Sequence, residues 1–386
     1  MTHTIHWLGA GLSSAPGIIE LAKQSTPIIV WNRSLAKAQQ LLKNDDIELD
    51  IRELDWAALA NVVKPGDVLV SMLPATMHLT VAEFCLKQQA HFVSSSYIAP
   101  EMAALDAKAK AANLCFVNEV GLDPGIDHLF AHLLVDSYQA SEQYSADNQL
   151  YFRSYCGGFP KVANDFKYKF SWSPLGVLKA LRSKAQWQAD GTVQNSNAPW
   201  EALSEYQAQL FDRQETFQAY PNRDSIPFIK QYNFQDNWDV QEFVRGTLRL
   251  NGWSTAWQGL FDEIASLEGS ESEQRLQQIS QELEQKYSYE DGEADRVVMC
   301  VELEVRRAGQ VIWHQSYQLD SHGNAQGQAM ARLVSYPVGL AITSVLNNEI
   351  APGVSAAPEK PEQIHQWLSK LTGLGESIGH HDHIAR

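Results

Sequence analysis

The chain has 386 residues, which is long for a single domain and favours two. Apolar residues make up 44% of it and charged residues 20%, a balance that excludes a disordered or fibrous protein. Its 30 basic and 46 acidic side chains give a formal net charge of −16, which argues against nucleic acid and anionic membranes as partners. We therefore expect a globular protein, and its acidic surface is still compatible with an anionic small substrate, because a local arginine cluster can override the overall charge.

Short apolar runs alternate with segments of helical period over the first 120 residues. The predicted strands are Ile5–Leu8, Pro27–Trp31, Ile47–Leu54, Asp67–Leu73, Phe92–Ser95 and Cys115–Val120. The predicted helices are Ala15–Gln24, Leu35–Lys43, Trp56–Val63, Thr76–Gln88 and Pro100–Ala112. Strands that alternate with helices at this spacing are typical of a parallel sheet with right-handed crossovers. We therefore expect an α/β fold with a Rossmann-type, doubly wound domain over residues 1–125.

The pattern changes beyond residue 125, where tryptophans, tyrosines and short alternating runs favour an antiparallel sheet with helices. We assign 126–330 to an α+β substrate domain, 253–290 to a small helical insertion within it, and 331–386 to a C-terminal segment that returns to the first domain. Within these parts the pattern predicts a hairpin of Val297–Val305 with Val311–Gln318, a buried helix over Met330–Leu346 and a frayed tail from Gly379.

Cysteine and histidine spacing does not indicate a metal centre. The four cysteines lie far apart, so they form neither a zinc-ligand pair nor a disulfide framework. The three histidines near the C-terminus fall in the predicted frayed tail. We therefore expect no metal. The N-terminus does not resemble a signal peptide and no apolar run is long enough to cross a membrane, so we expect a cytoplasmic protein.

A glycine turn follows the first predicted strand and opens the first helix. Gly9 permits the tight turn, and Gly11 lets a pyrophosphate approach the backbone near a helix N-terminus. Ser14 stands where the third glycine of the usual fingerprint would be, and we count Ser13 and Ser14 among the cofactor-binding residues. So short a motif also fits a plain structural turn, but its position between strand and helix favours a dinucleotide-binding loop.

The end of the second predicted strand indicates which dinucleotide is bound. NAD enzymes usually place an acidic residue there for the ribose 2′-hydroxyl, whereas this chain has Arg33 and Ser34 after an asparagine. An arginine beside a hydroxyl suits a 2′-phosphate, so we predict NADP rather than NAD; the alternative is an arginine that only faces solvent. Pro74 and Thr76 follow the fourth strand, at the edge where the nicotinamide half would bind.

Four further motifs carry groups suited to an amino-acid substrate. They are Glu119–His128, Ser154–Gly158, Tyr220–Ser225 and Val244–Arg249. Taken singly, each also fits a turn, a polar loop or an edge strand. Their arginines are nevertheless what a polycarboxylate ligand needs, because the guanidinium fork pairs with two carboxylate oxygens at once.

Together these strings resemble the saccharopine dehydrogenase family, in its glutamate-forming branch (saccharopine reductase). The similar segments are SSSYIAP at 94–100, LCFVNEVGLDPGIDHL at 114–129, FKYKFSWSP at 166–174, YPNRDS at 220–225, RGTLR at 245–249 and YPVGLAITSVL at 336–346. The resemblance covers almost the whole chain apart from 253–285, which is shorter than in the fungal members.

The resemblance implies NADP-dependent oxidation of saccharopine to glutamate and aminoadipate semialdehyde, or the reverse reduction. It implies a dinucleotide-binding first domain and an inserted α+β substrate domain. The family's substrate contacts map onto Ser96, Asp123, Cys156, Arg223 and Thr247. Asp123 is the candidate catalytic residue, either binding the substrate ammonium or stabilising an iminium, with a general-base role left open. We add Arg245 because it flanks Thr247 and suits a carboxylate.

Three positions depart from the family pattern and leave other functions open. Leu175 replaces an arginine, Ala75 a tyrosine, and Gly327 begins a Gly-Gln pair in place of two serines. One alternative is another amine–acid reductase, such as a carboxynorspermidine or opine-type dehydrogenase. A second is a non-catalytic NADP(H)-binding sensor. The partner we expect is a small polycarboxylate amino acid; a homodimer is one option for the oligomeric state.

Overall fold

The computed structural model describes residues 3–24, 26–43, 47–269 and 272–384. The chain forms two compact units. The first comprises Met1–His128 and Ala325–Glu359, and the second comprises Leu129–Asn324 and Lys360–Arg386.

Strands and helices are numbered along the whole chain. The strands are β1 Ile5–Leu8, β2 Ile28–Asn32, β3 Asp50–Glu53, β4 Val68–Ser71, β5 His91–Val93, β6 Cys115–Val117, β7 Gln149–Pro160, β8 Ala185–Ala189, β9 Thr192–Ser196, β10 Ser204–Leu210, β11 Arg213–Pro221, β12 Asp239–Arg249, β13 Asp295–Arg307, β14 Gln310–His322, β15 Gly353–Ser355 and β16 Ile378–Asp382. The helices are α1 Ala15–Ala22, α2 Leu35–Leu41, α3 Trp56–Val62, α4 His78–Gln88, α5 Pro100–Ala103, α6 Asp106–Ala111, α7 Ile126–Gln139, α8 Pro174–Leu181, α9 Pro227–Gln231, α10 Trp253–Ser266, α11 Ser272–Tyr287, α12 Ala329–Leu346 and α13 Pro361–Gly373.

The first unit is built on a seven-stranded parallel sheet in the order β15-β6-β5-β4-β1-β2-β3. Its central strands β1 and β4 are buried at every position, as expected for parallel strands with helices on both faces. Ser34 and Asp55 cap α2 and α3 by accepting a hydrogen bond from the backbone N–H three residues on. The order changes direction beside β1, as in a doubly wound fold, so the predicted Rossmann-type architecture is confirmed.

The predicted elements of this unit differ from the observed ones in three places. The third strand is shorter than predicted, covering Asp50–Glu53 only. The predicted helix Pro100–Ala112 is two short helices, because the chain turns at Ala104 and Leu105. A seventh strand, β15, extends the sheet beside β6; three residues are too few to show a strand pattern in the sequence.

Helix α12 is the buried helix that the sequence predicted. Within the described residues, it has the length of a membrane-spanning segment and a mean hydropathy of 1.4, yet 78% of it is buried inside the protein. This burial is typical of a core helix of a globular protein.

The second unit contains a nine-stranded mixed sheet. Seven strands follow the order β10-β11-β12-β7-β13-β14-β16, while β8 pairs with β12 and β9. The predicted hairpin is present as β13 and β14, and the predicted insertion is present as α10 and α11. The expectation of an antiparallel sheet is wrong for one pair of strands, because β7 and β12 run parallel. The long crossover between these two strands permits this arrangement.

The C-terminal segment divides differently from the prediction. Residues of α12 and β15 belong to the first unit, whereas Lys360–Arg386 belongs to the second. The predicted fraying from Gly379 is wrong, because β16 pairs antiparallel with β14 from Ile378 to Asp382 and the His383 N–H donates to the His314 carbonyl. Backbone pairing with a sheet edge therefore orders this segment.

Candidate active site

The glycine loop after β1 is held by side chains on either side of it. The Gly9 carbonyl accepts hydrogen bonds from Trp7 Nε1 at 3.1 Å and from Ser14 Oγ at 3.2 Å. Gly9 has φ +95°, and a Cβ there would lie 2.7 Å from the Met72 carbonyl oxygen, so only glycine fits. Gly11 is exposed, and a Cβ there would meet nothing within 4 Å. Open space above Gly11 is what a dinucleotide pyrophosphate needs.

Asn32 links this loop to the end of β2. Its side-chain oxygen accepts from the Ala10 N–H at 3.1 Å, and its amide group donates to the Ser34 carbonyl at 2.9 Å. Arg33 is exposed and Ser34 caps α2, so both lie beside the glycine loop. The sequence interpretation noted that the usual acid was missing at this strand end but gave no role to the asparagine that replaces it.

Gly17 takes over the packing role of the missing third glycine. A Cβ there would lie 2.5 Å from the Ser335 carbonyl oxygen of α12, and the Gly17 N–H donates to Ser335 Oγ at 2.8 Å. Ser14, at the usual third position, is 1% exposed and caps the Gly9 carbonyl instead; Ser13 beside it is half-buried. Sequence reasoning missed Gly17 because it lies three residues beyond the fingerprint.

A buried histidine connects two serines at the carboxyl edge of the parallel sheet. His78 Nδ1 lies 2.8 Å from Ser71 Oγ, at the end of β4, and His78 Nε2 lies 2.8 Å from Ser96 Oγ, after β5. Burial lowers the pKa of His78 to about 4, so the ring is neutral near pH 7. The exposed Pro74 and Thr76 precede it on the same segment. The sequence interpretation named Ser96 but not the histidine that orients it.

Asp123 follows β6 in the first unit and is half-buried. Tyr97 Oη donates to Asp123 Oδ1 at 3.1 Å. Nearby, Glu119 accepts from the Ile98 N–H at 2.9 Å and pairs with His128 at 3.0 Å. These contacts join the loops after β5 and β6, so Ser96 and Asp123 lie on two loops that are tied to each other.

In the second unit, two of the sequence motifs are joined through Ser225. The Arg245 N–H donates to Ser225 Oγ at 3.0 Å, and Ser225 Oγ donates to the Arg245 carbonyl at 3.4 Å. The Asn222 N–H also donates to the Arg245 carbonyl, at 2.8 Å. The Tyr220–Ser225 segment therefore fixes the strand that carries Arg245 and Thr247.

Sheet register places three predicted substrate residues on one face. Thr247 is the direct partner of Cys156 on β7, and Arg245 is two residues away on β12, so their side chains leave the same side. Arg245 is 4% exposed, with its guanidinium 3.9 Å from the centre of the Phe228 ring. Arg223 is exposed, in the turn after β11 that the Arg245 strand supports. The face carries the cations and hydroxyl that a carboxylate requires.

The departures from the family pattern have structural accounts at two positions. Leu175 is partly buried and packs against an apolar cluster that includes Ile264 and Leu276 of the insertion, which suits leucine better than a charged arginine. Gly327 has φ +126° and accepts from Arg332 Nη1 at 2.6 Å, so glycine suits this backbone. Ala75 lies exposed in a single 3₁₀ turn, and nothing in the structure explains it.

One group of side chains in the described part of the chain has the donor atoms of a metal site. Ligand atoms of Glu302, His314 and His383 lie within 4.8 Å of one another. They already bond within the protein: His314 Nε2 lies 2.8 Å from Glu302 Oε2, and His383 Nε2 lies 2.9 Å from Ser316 Oγ. Nothing else in the structure indicates an ion at this group.

Two family models cover nearly the whole chain. One, described as the saccharopine dehydrogenase NADP binding domain, matches residues 5–117, and the other, the saccharopine dehydrogenase C-terminal domain, matches residues 121–375. The chain belongs to the saccharopine dehydrogenase family. It is an NADP-dependent oxidoreductase of the class that acts on CH–NH donors.

Similar proteins cover the same length. The saccharopine dehydrogenases [NADP(+), L-glutamate-forming] of Pyricularia oryzae and Saccharomyces cerevisiae are each 30% identical to the chain. The first match covers 92% of this chain and 94% of the relative, and the second covers 95% and 97%. The structure of the apo, histidine-tagged L-Glu-forming saccharopine dehydrogenase of Saccharomyces cerevisiae superimposes with a TM-score of 0.79 at 27% identity, covering 98% of this chain and 99% of that one. These matches support the predicted fold, family and cofactor together.

Proposed function

We propose that the chain interconverts saccharopine and NADP⁺ with L-glutamate, aminoadipate semialdehyde and NADPH. The observation that carries the proposal is the match, over more than nine-tenths of both chains, to two relatives with that activity in their names. The arginines of the second unit also suit this substrate. Saccharopine is a secondary amine with three carboxylates, and a guanidinium group can pair with both oxygens of a carboxylate.

Residues of the first unit would hold the cofactor. The open space over Gly11 admits the pyrophosphate, and Arg33 with Ser34 suits the 2′-phosphate. When bound, NADP⁺ accepts the hydride from the carbon next to the secondary amine. The loops after β4 and β5 carry Thr76 and Ser96 at the carboxyl edge of the sheet, where ligands of open α/β sheets bind.

The substrate-binding residues have distinct tasks. Arg223 and Arg245 pair with carboxylates and thereby fix the position of the reacting carbon. Thr247 and the largely buried Cys156 face the ligand as polar contacts. Cys156 does not act as a nucleophile in this proposal, because hydride transfer and hydrolysis of the resulting C=N bond need no covalent enzyme intermediate.

Asp123 and Ser96 act near the amine. The carboxylate of Asp123 stabilises the positive charge that develops on nitrogen when the neighbouring carbon loses a hydride. The neutral ring of His78 holds the Ser96 hydroxyl in one orientation, and Ser71 fixes that ring from its other side. The hydroxyl is thereby preorganised for the substrate instead of rotating freely.

A substrate panel tests the proposal. The purified protein with NADP⁺ is mixed in turn with saccharopine, carboxynorspermidine and an opine, and formation of reduced nicotinamide is followed by absorbance. Turnover of saccharopine with a kcat/KM well above the other two supports the proposal. Turnover of carboxynorspermidine or the opine alone would assign the chain to another amine–acid reductase, and binding of NADPH without turnover of any would favour a sensor.

A further inference from the structure

A buried arginine outside the predicted site lies at the end of β12. Arg249 is 6% exposed, and it leaves the strand on the same face as Arg245 and Thr247 because it is two residues beyond Thr247. Three aromatic rings surround its guanidinium: Tyr168 at 5.0 Å, Tyr220 at 5.4 Å and Trp253 at 5.3 Å from the ring centres.

The charge of Arg249 has no carboxylate partner among the described residues. Arg249 Nη1 donates to the neighbouring Leu248 carbonyl at 3.1 Å, and Nε has no acceptor. Arg296 in the same unit shows the usual arrangement, since it bonds to Asp320 at 2.7 Å and to Glu215 at 2.7 Å. A buried cation without a counter-ion is costly, and contacts with aromatic rings offset only part of that cost.

A second buried donor beside Arg249 also lacks an acceptor. Trp253 is 0% exposed and its Nε1 has no hydrogen-bond partner, although Nε1 of Trp257, one helical turn on, donates to the Phe166 carbonyl at 2.9 Å. Two neighbouring N–H groups that both lack an acceptor, one of them charged, match the requirements of an anion. A buried water would accept from both N–H groups but would leave the charge unpaired.

Arg249 and Trp253 adjoin the predicted substrate residues through the Tyr220 ring. Tyr220 on β11 is the direct partner of Thr247 on β12, and the centre of its ring lies 5.4 Å from the Arg249 guanidinium. A ligand that contacts Thr247 is therefore one side chain away from Arg249.

We infer that Arg249 and Trp253 form an anion subsite that binds one carboxylate of the substrate. The inference deepens the proposed function and rests on it for the identity of the ligand. Saccharopine carries carboxylates at both ends of its chain, and the row of Arg245, Thr247 and Arg249 along one strand provides cations at both ends of an extended ligand. The subsite excludes amines that lack a terminal carboxylate, because they would leave the buried cation unpaired.

Two substitutions with matched controls test the subsite. Arg249→Met keeps a flexible, unbranched side chain and removes its charge; it should raise the KM for saccharopine on the order of tenfold to a hundredfold, as expected for lost charge-assisted hydrogen bonds. The Tm of the ligand-free protein should be unchanged or higher, because an unpaired buried charge is removed. Arg296→Met should do the opposite, lowering the Tm and leaving KM unchanged.

Substitutions of Trp253 and Trp257 provide a second test variant and its matched control. Trp253→Phe retains an aromatic ring and removes the N–H together with the rest of the pyrrole ring, so the KM for saccharopine should rise several-fold and the Tm should fall by the cost of the smaller ring. Trp257→Phe loses the same volume and also the donor to the Phe166 carbonyl, so its Tm should fall further than that of Trp253→Phe, and its KM should be unchanged. An unchanged KM in both Arg249→Met and Trp253→Phe would overturn the inference and assign a purely structural role to Arg249 and Trp253.

Direct binding separates this inference from the proposed function. If the wild type turns over no saccharopine, the proposed substrate is wrong, and glutarate, a simple dicarboxylate, then tests the subsite alone. Glutarate should raise the Tm of the wild type and of Trp257→Phe but not of Arg249→Met or Trp253→Phe. An equal rise in all four proteins, or no rise in the wild type, would show that Arg249 and Trp253 do not bind carboxylates.

Discussion

Replacement of Gly17 by alanine should destabilise the cofactor unit. The new methyl carbon would lie 2.5 Å from the Ser335 carbonyl oxygen and 2.6 Å from Ser335 Cβ, about 1 Å inside normal van der Waals contact. Helix α1 must then move away from α12, which also stretches the 2.8 Å hydrogen bond between Gly17 N–H and Ser335 Oγ.

Three contributions decide whether Gly17→Ala lowers or raises the free energy of unfolding. Overpacking costs about 1–3 kcal/mol and a lost hydrogen bond about 1 kcal/mol. Alanine within a helix gains back about 1 kcal/mol relative to glycine. The net loss in free energy of unfolding is therefore about 1–3 kcal/mol, which lowers the Tm of a unit of this size by about 2–4 °C for each kcal/mol.

Gly11→Ala is the matched control. A methyl group there meets nothing within 4 Å, so the Tm should not change. It does occupy the space over the loop, so the Kd for NADP⁺ should rise about tenfold or more as contacts with the charged pyrophosphate are lost. Scanning calorimetry and a fluorescence titration of each variant measure both quantities. If Gly17→Ala is as stable as the wild type, or if Gly11→Ala binds NADP⁺ normally, the roles assigned to these glycines are wrong.

Two further substitutions test the cofactor and the buried histidine. Arg33→Ala should raise the KM for NADP⁺ on the order of tenfold to a hundredfold and leave the KM for NAD⁺ nearly unchanged. Equal increases in both KM values would contradict a contact between Arg33 and the 2′-phosphate. Burial lowers the pKa of His78 to about 4 in the folded protein. Between about pH 6.5 and pH 4 this histidine is therefore protonated in the unfolded chain and neutral in the folded protein. Stability should therefore fall by roughly 3 kcal/mol as the pH drops from 6.5 to 4, and urea unfolding of His78→Gln should show a shallower fall; an identical pH dependence would contradict the assignment.

The sequence predicted the parts of the fold that follow from local pattern. The alternation of apolar strands and amphipathic helices was sufficient to predict six of the parallel strands, because each of these strands is followed in the chain by its own helix. The three-residue β15 was missed because it has no pattern of its own and is formed by pairing with β6. Strand β16 was missed for a related reason, since backbone pairing with β14 orders a polar run that looks like a loose end.

Candidate site residues could be proposed from the sequence where a residue type carries the chemistry, and not where packing does. Gly9 and Gly11 stand in a recognisable motif, whereas Gly17 matters only because Ser335, more than three hundred residues later, packs against it. Likewise Arg249 closes a motif that the sequence singled out, but the sequence does not show that this arginine is buried. Its enclosure by aromatic rings depends on the pairing of β11 with β12 and on the helix that follows, which local pattern does not contain.

Product analysis of a single reaction tests the proposed activity most directly. Saccharopine has two carbons next to its secondary amine, so loss of a hydride followed by hydrolysis can release either of two product pairs. The proposal predicts that saccharopine with NADP⁺ yields L-glutamate and NADPH in equal amounts, because the hydride leaves the carbon on the lysine-derived side. Formation of lysine and 2-oxoglutarate, or no NADPH at all, would contradict it.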